Sequence, residues 1–218
     1  MTLNLFDDAE QGRVWQEAIC PGAVVLRHFA LRYEVEIFAA LDDIARQAPF
    51  RHMVTPGGFR MSAAMTSCGE FGWTADRTGY RYITTDPETG LPWPPMPETL
   101  GRLAVAAAMS AGYPEFVPDA CLINRYAIGA KMSLHQDKDE PDLGAPIVSV
   151  SLGLPANFQF GGPRREDKTQ RVQLTHGDVV VWGGPARLFF HGVLPIKNGL
   201  HPSTGEFRIN LTFRKVSK

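Results

Sequence analysis

Apolar residues recur at helical spacing in two windows of the chain and in short, strand-like runs elsewhere. Ile37, Phe38, Leu41, Ile44 and Ala45 put one apolar face on a segment from Tyr33 to Gln47, and Pro49 ends the pattern. Leu100, Leu103 and Ala107 do the same from Pro97 to Ala111, with Pro97 near the start and Gly112 as the stop. The spacing predicts a helix over each. Between them lie strand-like and loop sequence from Gly58 to Ser67, a stretch bearing Gly, Trp and Tyr, and the Pro-rich turn Leu91-Pro-Trp-Pro-Pro.

After residue 118 the pattern changes. Short apolar runs follow one another with turn residues between them: Ala120–Ala127, Ile147–Leu154, Asn157–Phe160, Arg171–Leu174, Asp178–Trp182, Leu188–Gly192 and Phe207–Phe213. This many short strands without a helical window predict a sandwich or jelly roll. The expected fold class is mainly β with flanking helices. Residues 1–12, polar and acidic, are expected to fray. Residues 13–117 should carry the helices and a mixed segment packed on the β core of residues 118–218, in one compact domain.

Composition narrows the field without naming a function. The 218 residues are 44% hydrophobic and 21% charged, ordinary globular values that exclude disorder. No apolar run approaches the roughly 20 residues of a membrane span, and the N-terminus lacks a secretory signal pattern. Cys20, Cys68 and Cys121 are odd in number and far apart, which suits a reducing cytoplasm better than a disulfide framework. A net charge of −1 excludes a simple polycation but not a locally basic groove.

The first chemical signal is His135-Gln136-Asp137. Residues two apart on an extended chain point the same way, so an imidazole and a carboxylate can converge. His191, in Phe189-Phe190-His191-Gly192, is the best third ligand. Two His and one carboxylate make the facial triad of non-haem Fe(II) oxygenases, which leaves positions open. The triplet alone also reads as a charged surface loop, beside Lys138, Asp139 and Glu140. The second signal is the last strand. Ile209, Leu211 and Phe213 face one way, and Arg208, Asn210, Thr212 and Arg214 the other. By composition that polar face is most simply a solvated one. It also describes a lining that grips a dianion with guanidinium forks. Leu122, Asn124 and Tyr126 share a face of their own strand and add an amide and a phenol.

Taken together, His135-x-Asp137, then His191, then Arg208-x-Asn210-x-Thr212-x-Arg214 resemble the Fe(II)/2-oxoglutarate dioxygenases, and within them the AlkB family of nucleic-acid demethylases. The runs Asp119–Tyr126, Leu134–Pro141, Ser149–Gly153 and His176–Gly184 carry the narrower resemblance, as do Met53-Val-Thr-Pro-Gly-Gly, Met65-Thr and Gly72-Trp73, which resemble its bacterial members. Phe190 departs from the Tyr of those members, which affects one hydrogen bond and not the ligand set. The resemblance implies a double-stranded β-helix core under an N-terminal nucleotide-recognition lid. It implies Fe(II) on His135, Asp137 and His191 as the catalytic centre. It places 2-oxoglutarate against Leu122, Asn124, Tyr126, Arg208, Asn210 and Arg214, with O2 as the second cosubstrate. The implied reaction is oxidative demethylation of bases such as 1-methyladenine and 3-methylcytosine, with release of succinate, carbon dioxide and formaldehyde. The expected partner is alkylated single-stranded DNA, with RNA and duplex DNA as further substrates, and the expected state is a cytoplasmic monomer.

On the substrate side, the resemblance makes Trp73 the plate that stacks on the base, opposite His135, with Met65 and Arg165 nearby. Trp73 reads equally well as a core residue. Tyr80 and Tyr82, two apart on a strand, suit contacts to the nucleotide backbone or ordinary cross-strand packing. Asp139 reaches the pocket if the extended geometry continues past Asp137, and otherwise joins a solvated acidic run. Arg46, Arg51, Arg60, Arg77 and Arg81 against Glu70 and Asp76 give a local +3, and Arg164, Arg165, Lys168 and Arg171 form a second basic loop. Two such patches beside one pocket suit a phosphate-tracking groove. The rivals are a hydroxylase of proteins or metabolites on the same core, a metal-free jelly-roll binder, and a zinc hydrolase. The last gives Arg208 and Arg214 no role.

Overall fold

The computed structural model describes residues 14–217, so the expectation for residues 1–12 lies outside the described residues. Two helices form where the periodicity predicts them, α1 (Glu34–Gln47) and α2 (Glu98–Ser110). The strands before the second helix are β1 (Trp15–Cys20), β2 (Ala23–Arg27), β3 (Ala64–Gly69), β4 (Gly72–Asp76) and β5 (Gly79–Ile83). Those after it are β6 (Ala120–Tyr126), β7 (Met132–His135), β8 (Ile147–Gly153), β9 (Ala156–Phe160), β10 (Gln170–Leu174), β11 (Val179–Trp182), β12 (His191–Val193) and β13 (Arg208–Arg214).

Seven strands make an antiparallel sheet in the order β1-β2-β11-β8-β13-β6-β3. Four make a second, in the order β10-β9-β12-β7, and β4 and β5 pair as a hairpin of their own. Strand alternation then sorts the side chains into two cores. Val148, Val150, Leu152, Ile123, Leu211 and Phe213 pack against Ile37, Leu41, Ile44, Leu100, Leu103 and Ala107 of the helices. The opposite face of the large sheet, with Leu122, Tyr126, Ile147 and Val180, packs against Phe158, Phe160 and Val193 of the small one. β1, β2 and β3 come from residues 13–117 and complete the large sheet, so the two segments share these cores.

The consequence for function lies in β13. Its apolar residues face the helix layer, and the small sheet covers the opposite face, so the polar residues enter the inter-sheet space. Arg208, Asn210, Thr212 and Arg214 are all buried. The solvated-face reading of this strand is thereby corrected. Composition gave no sign that a second sheet covers it.

Candidate active site

The three residues that could hold a metal lie on the small sheet or just beyond it. His135 ends β7, His191 opens β12, and the two are direct register partners with ring centroids 4.5 Å apart. Gly192 permits this pairing: a Cβ there would lie 2.7 Å from the Met132 carbonyl of the neighbouring strand. Asp137 lies two residues beyond His135. Its Oδ1 is 3.7 Å from His135 Nε2 and its Oδ2 is 3.8 Å from His191 Nε2. Donor atoms of all three lie within 4.8 Å of one another, the one such group of three or more among the described residues. Each imidazole sets its Nδ1 on a backbone carbonyl, Ser133 at 2.9 Å and Phe189 at 3.0 Å. These bonds fix the tautomer and leave both Nε2 atoms as free bases facing Asp137, the arrangement a metal ligand needs.

Electrostatics agree. Burial first, and then the neighbouring His135, push the His191 imidazole down to about 4, so it is neutral at pH 7. Burial alone would raise the Asp137 carboxyl, but Arg214, His191 and His135 outweigh it and hold it well below the usual carboxylate range. Two imidazoles and one carboxylate suit a divalent cation such as Fe(II).

Behind the triad lies a small cavity lined among others by Asn124, Tyr126, Ser149, Arg208, Asn210 and Arg214. Arg208 is 1% exposed and pairs with no acidic residue among the described residues. Its Nη2 donates to Ser151 Oγ at 3.0 Å, and the ring of Tyr126 lies 5.2 Å from its Cζ, but its Nε and Nη1 have no partner. A buried guanidinium with idle donors costs several kcal/mol unless an anion meets it. Asn210 donates to Ser149 Oγ and the Val150 carbonyl, both at 2.8 Å, and Asn124 Oδ1 is without a partner. These idle polar atoms suit an anionic ligand with several oxygen atoms, such as a 2-oxo dicarboxylate.

Arg214 behaves differently. Its Nη2 donates to Asp137 Oδ2 at 2.8 Å, and its Nε lies 3.2 Å from Glu140 Oε1. It lines the cavity while it holds the carboxylate of the triad.

On the solvent side the triad opens through His135, whose side chain is 39% exposed. The β4–β5 hairpin reaches the loop that follows His135 and Asp137. Trp73 stacks on Tyr80 with centroids 5.5 Å apart and donates from its indole nitrogen to Asp139 Oδ2 at 3.2 Å. Arg165 donates to the Leu134 carbonyl at 2.6 Å and lies 4.9 Å above the Phe190 ring.

A family model described as the 2OG-Fe(II) oxygenase superfamily matches residues 22–214. The alpha-ketoglutarate-dependent dioxygenase AlkB of Escherichia coli K12 is 60% identical over 216 residues, 99% of each chain. The chain belongs to the AlkB family of 2OG-Fe(II) oxygenases. The AlkB homolog of Caulobacter vibrioides NA1000 is 50% identical over 175 residues, covering 79% of this chain and 77% of that one. The solved structure of OsALKBH1 superposes with a TM-score of 0.82 at 31% identity, covering 92% of this chain and all of that one. As an AlkB-family enzyme the protein uses Fe(II), 2-oxoglutarate and O2.

His135, Asp137 and His191 come together, and Leu122, Asn124, Tyr126, Arg208, Asn210 and Arg214 all line the one cavity. Met65 does not reach the surface. It faces inward beside Asn124, its register partner, and is fully buried in the inter-sheet core. The two tyrosines diverge: Tyr80 is 46% exposed, whereas Tyr82 donates its hydroxyl to Glu140 at 2.5 Å. Burial keeps the Tyr82 phenol well above its ordinary pKa, so it remains a donor.

The basic patches are thinner than the charge count implies. Arg46, Arg51 and Arg81 pair with Asp43, Asp86 and Asp76, and Arg164 with Asp167. Arg60, Arg77, Arg165, Lys168 and Arg171 remain exposed and outside any acidic pair among the described residues.

Residues that sequence reading missed are Ser149, Ser151, Glu140 and Arg187. The two serines alternate with Val148, Val150 and Leu152 on β8, a pattern that marks them as inward polar positions. Arg187 stands alone in an apolar run, which is a signal. Glu140 sits in an acidic run and has none.

Proposed function

We propose that the protein removes alkyl groups by oxidation from N-alkylated bases, with 1-methyladenine and 3-methylcytosine in single-stranded DNA as its main substrates, and that it works as a monomer. The observation that carries this reading is the shared cavity. The His-Asp-His triad and the buried Arg208, with two idle nitrogens, line it, and the Trp73–Tyr80 pair of the β4–β5 hairpin meets the adjoining loop at Asp139. The Escherichia coli relative is named an alpha-ketoglutarate-dependent dioxygenase, and the human relative, 31% identical over 99 residues, a nucleic acid dioxygenase.

In this reading His135, Asp137 and His191 hold Fe(II), which supplies the oxidation of an N-methyl group coupled to decarboxylation of 2-oxoglutarate. Arg208 grips the far carboxylate of the cosubstrate through its two idle donors. Asn124, Tyr126 and Asn210 fix the cosubstrate's orientation, and Arg214 holds Asp137 while contributing positive charge. Phe158, Phe160 and Trp182 pack around His191 and exclude water. A base inside a duplex hides its ring nitrogens, so the target is taken single-stranded or flipped. Trp73 stacks on it opposite His135, while Tyr80, Arg165, Arg60 and Arg77 meet the backbone phosphates. A protein or metabolite hydroxylase would have no use for this hairpin.

Mass spectrometry of a methylated oligonucleotide tests the reading. Conversion to the unmodified base should need both Fe(II) and 2-oxoglutarate and should exceed that of the duplex form. Conversion without 2-oxoglutarate, or none at all, would overturn it.

Two predictions concern the base. Trp73→Ala should weaken oligonucleotide binding by about 1–3 kcal/mol, the worth of base–aromatic stacking. Decarboxylation of 2-oxoglutarate without substrate should persist. A common collapse of both with a lowered Tm would make Trp73 a packing residue.

Asp139 is exposed beside Trp73, so its attraction for a cationic base is closer to the aqueous value of about 1 kcal/mol than to the interior one. Asp139→Asn should therefore narrow the kcat/KM ratio between cationic 3-methylcytosine and neutral 3-methylthymine by about fivefold. An unchanged ratio would assign the selectivity to pocket shape.

A further inference from the structure

Beside the triad lies a buried ion-pair cluster that the reaction itself does not require. Glu140 is 5% exposed. Its Oε2 accepts from Arg187 Nη2 at 3.0 Å, and its Oε1 lies 3.2 Å from Arg214 Nε and accepts from the Tyr82 hydroxyl at 2.5 Å. The two arginines then close on one residue. Arg214 holds the Asp137 carboxylate at 2.8 Å, and Arg187 holds the Asp137 backbone carbonyl at 2.5 Å. Arg187 also donates to the Ala145 carbonyl at 2.9 Å, which ties the far end of the loop. Asp137 is therefore gripped at both its side chain and its main chain, and one carboxylate holds both grips together. Tyr82 belongs to β5, so the cluster runs without a break from the hairpin to a residue of the triad.

We propose that Glu140 is a positioning residue that couples the β4–β5 hairpin to the metal site. The inference rests on Asp137 being a metal ligand. Two arginines and two carboxylates balance in charge, so the cluster tolerates burial only while each member stays in place. Movement of the hairpin that withdraws the Tyr82 hydroxyl leaves Glu140 short of a donor and loosens Arg214 on Asp137. Metal binding, which fixes Asp137, conversely steadies Glu140 and with it β5. The hairpin has few other ties to this loop: the second is Trp73 to Asp139. A base that enters between Trp73 and His135 therefore acts on the same loop from both strands of the hairpin.

Tyr82→Phe removes one hydroxyl and none of the charges. The test is amide hydrogen exchange over residues 72–83 in the full chain, without oxygen, with and without Fe(II) and 2-oxoglutarate, with metal binding followed separately by its visible absorption. In the parent, the metal and cosubstrate should slow exchange in the hairpin. In Tyr82→Phe that protection should fall by about tenfold, the worth of a hydrogen bond to a charged acceptor. Glu140→Gln keeps the shape but removes the charge, and should weaken Fe(II) binding by about tenfold or more. The ratio of succinate formed to formaldehyde released should rise in both variants. Equal protection in parent and Tyr82→Phe, with iron bound in each, would overturn the coupling. An iron-loaded parent without protection in the hairpin would do the same. A parent that binds no iron would remove the metal reading itself, and the coupling with it.

Discussion

Asp137→Asn should bring turnover to the uncatalysed background and remove most iron binding. The triad has three protein ligands, and an amide is a far poorer ligand than a carboxylate. The substitution also leaves Arg214 facing a neutral group, so a loss of stability of about 3 kcal/mol or more accompanies it in the metal-free protein. His135→Ala and His191→Ala should match it in activity but not in stability, because neither carries a charge pair with Arg214. Iron occupancy measured beside turnover checks this. A variant with full iron and near-parent activity takes its residue out of the ligand set.

Arg208 should produce the second large effect, with opposite signs in two measurements. Arg208→Lys should raise the KM for 2-oxoglutarate by about 10- to 100-fold, since a point ammonium cannot reproduce a planar fork. Arg208→Met should abolish saturable 2-oxoglutarate binding and yet raise the stability of the cosubstrate-free protein by about 1 kcal/mol or more. The reason is that a buried charge without an acidic partner is replaced by an apolar chain. A structural Arg would lose stability on the same substitution. Calorimetric titration with 2-oxoglutarate and thermal unfolding of the metal-free protein read the two effects. Unchanged cosubstrate affinity would move the carboxylate to Arg214.

These expectations depend on features that the sequence revealed unevenly. The helices were legible to within a residue at most ends, because a 3.6-residue apolar period survives any tertiary context. The polar face of β13 was equally plain, since strand alternation is local. Its burial was not, because covering it takes a second sheet whose strands lie far away in the chain. β1, β2 and β7 were missed. β1 is a largely exposed edge strand, and β7 has four residues without a clear alternation.

Charge was the least legible property. Arg51 meets Asp86, 35 positions away, and Arg187 meets Glu140, 47 positions away, so a window count of the first patch overstates its free charge. Glu140 belongs to the same class of long-range partner. Its surroundings give it the look of a surface acid, and only the return of Arg187 and Arg214 to one point makes it an interior one. The triad, by contrast, was legible in its order and residue types, and the register pairing of β7 with β12 supplied the convergence.

The most direct measurement is the stoichiometry of one reaction. A single-stranded oligonucleotide carrying one 3-methylcytosine is incubated with the protein, Fe(II), O2 and limiting 2-oxoglutarate, and succinate, formaldehyde and unmodified cytosine are quantified together. One formaldehyde and one restored cytosine should appear for each succinate formed above the substrate-free rate, and none of the three products when His191→Ala replaces the parent. Succinate formed without restored cytosine, or cytosine restored in the absence of 2-oxoglutarate, would contradict the proposed function.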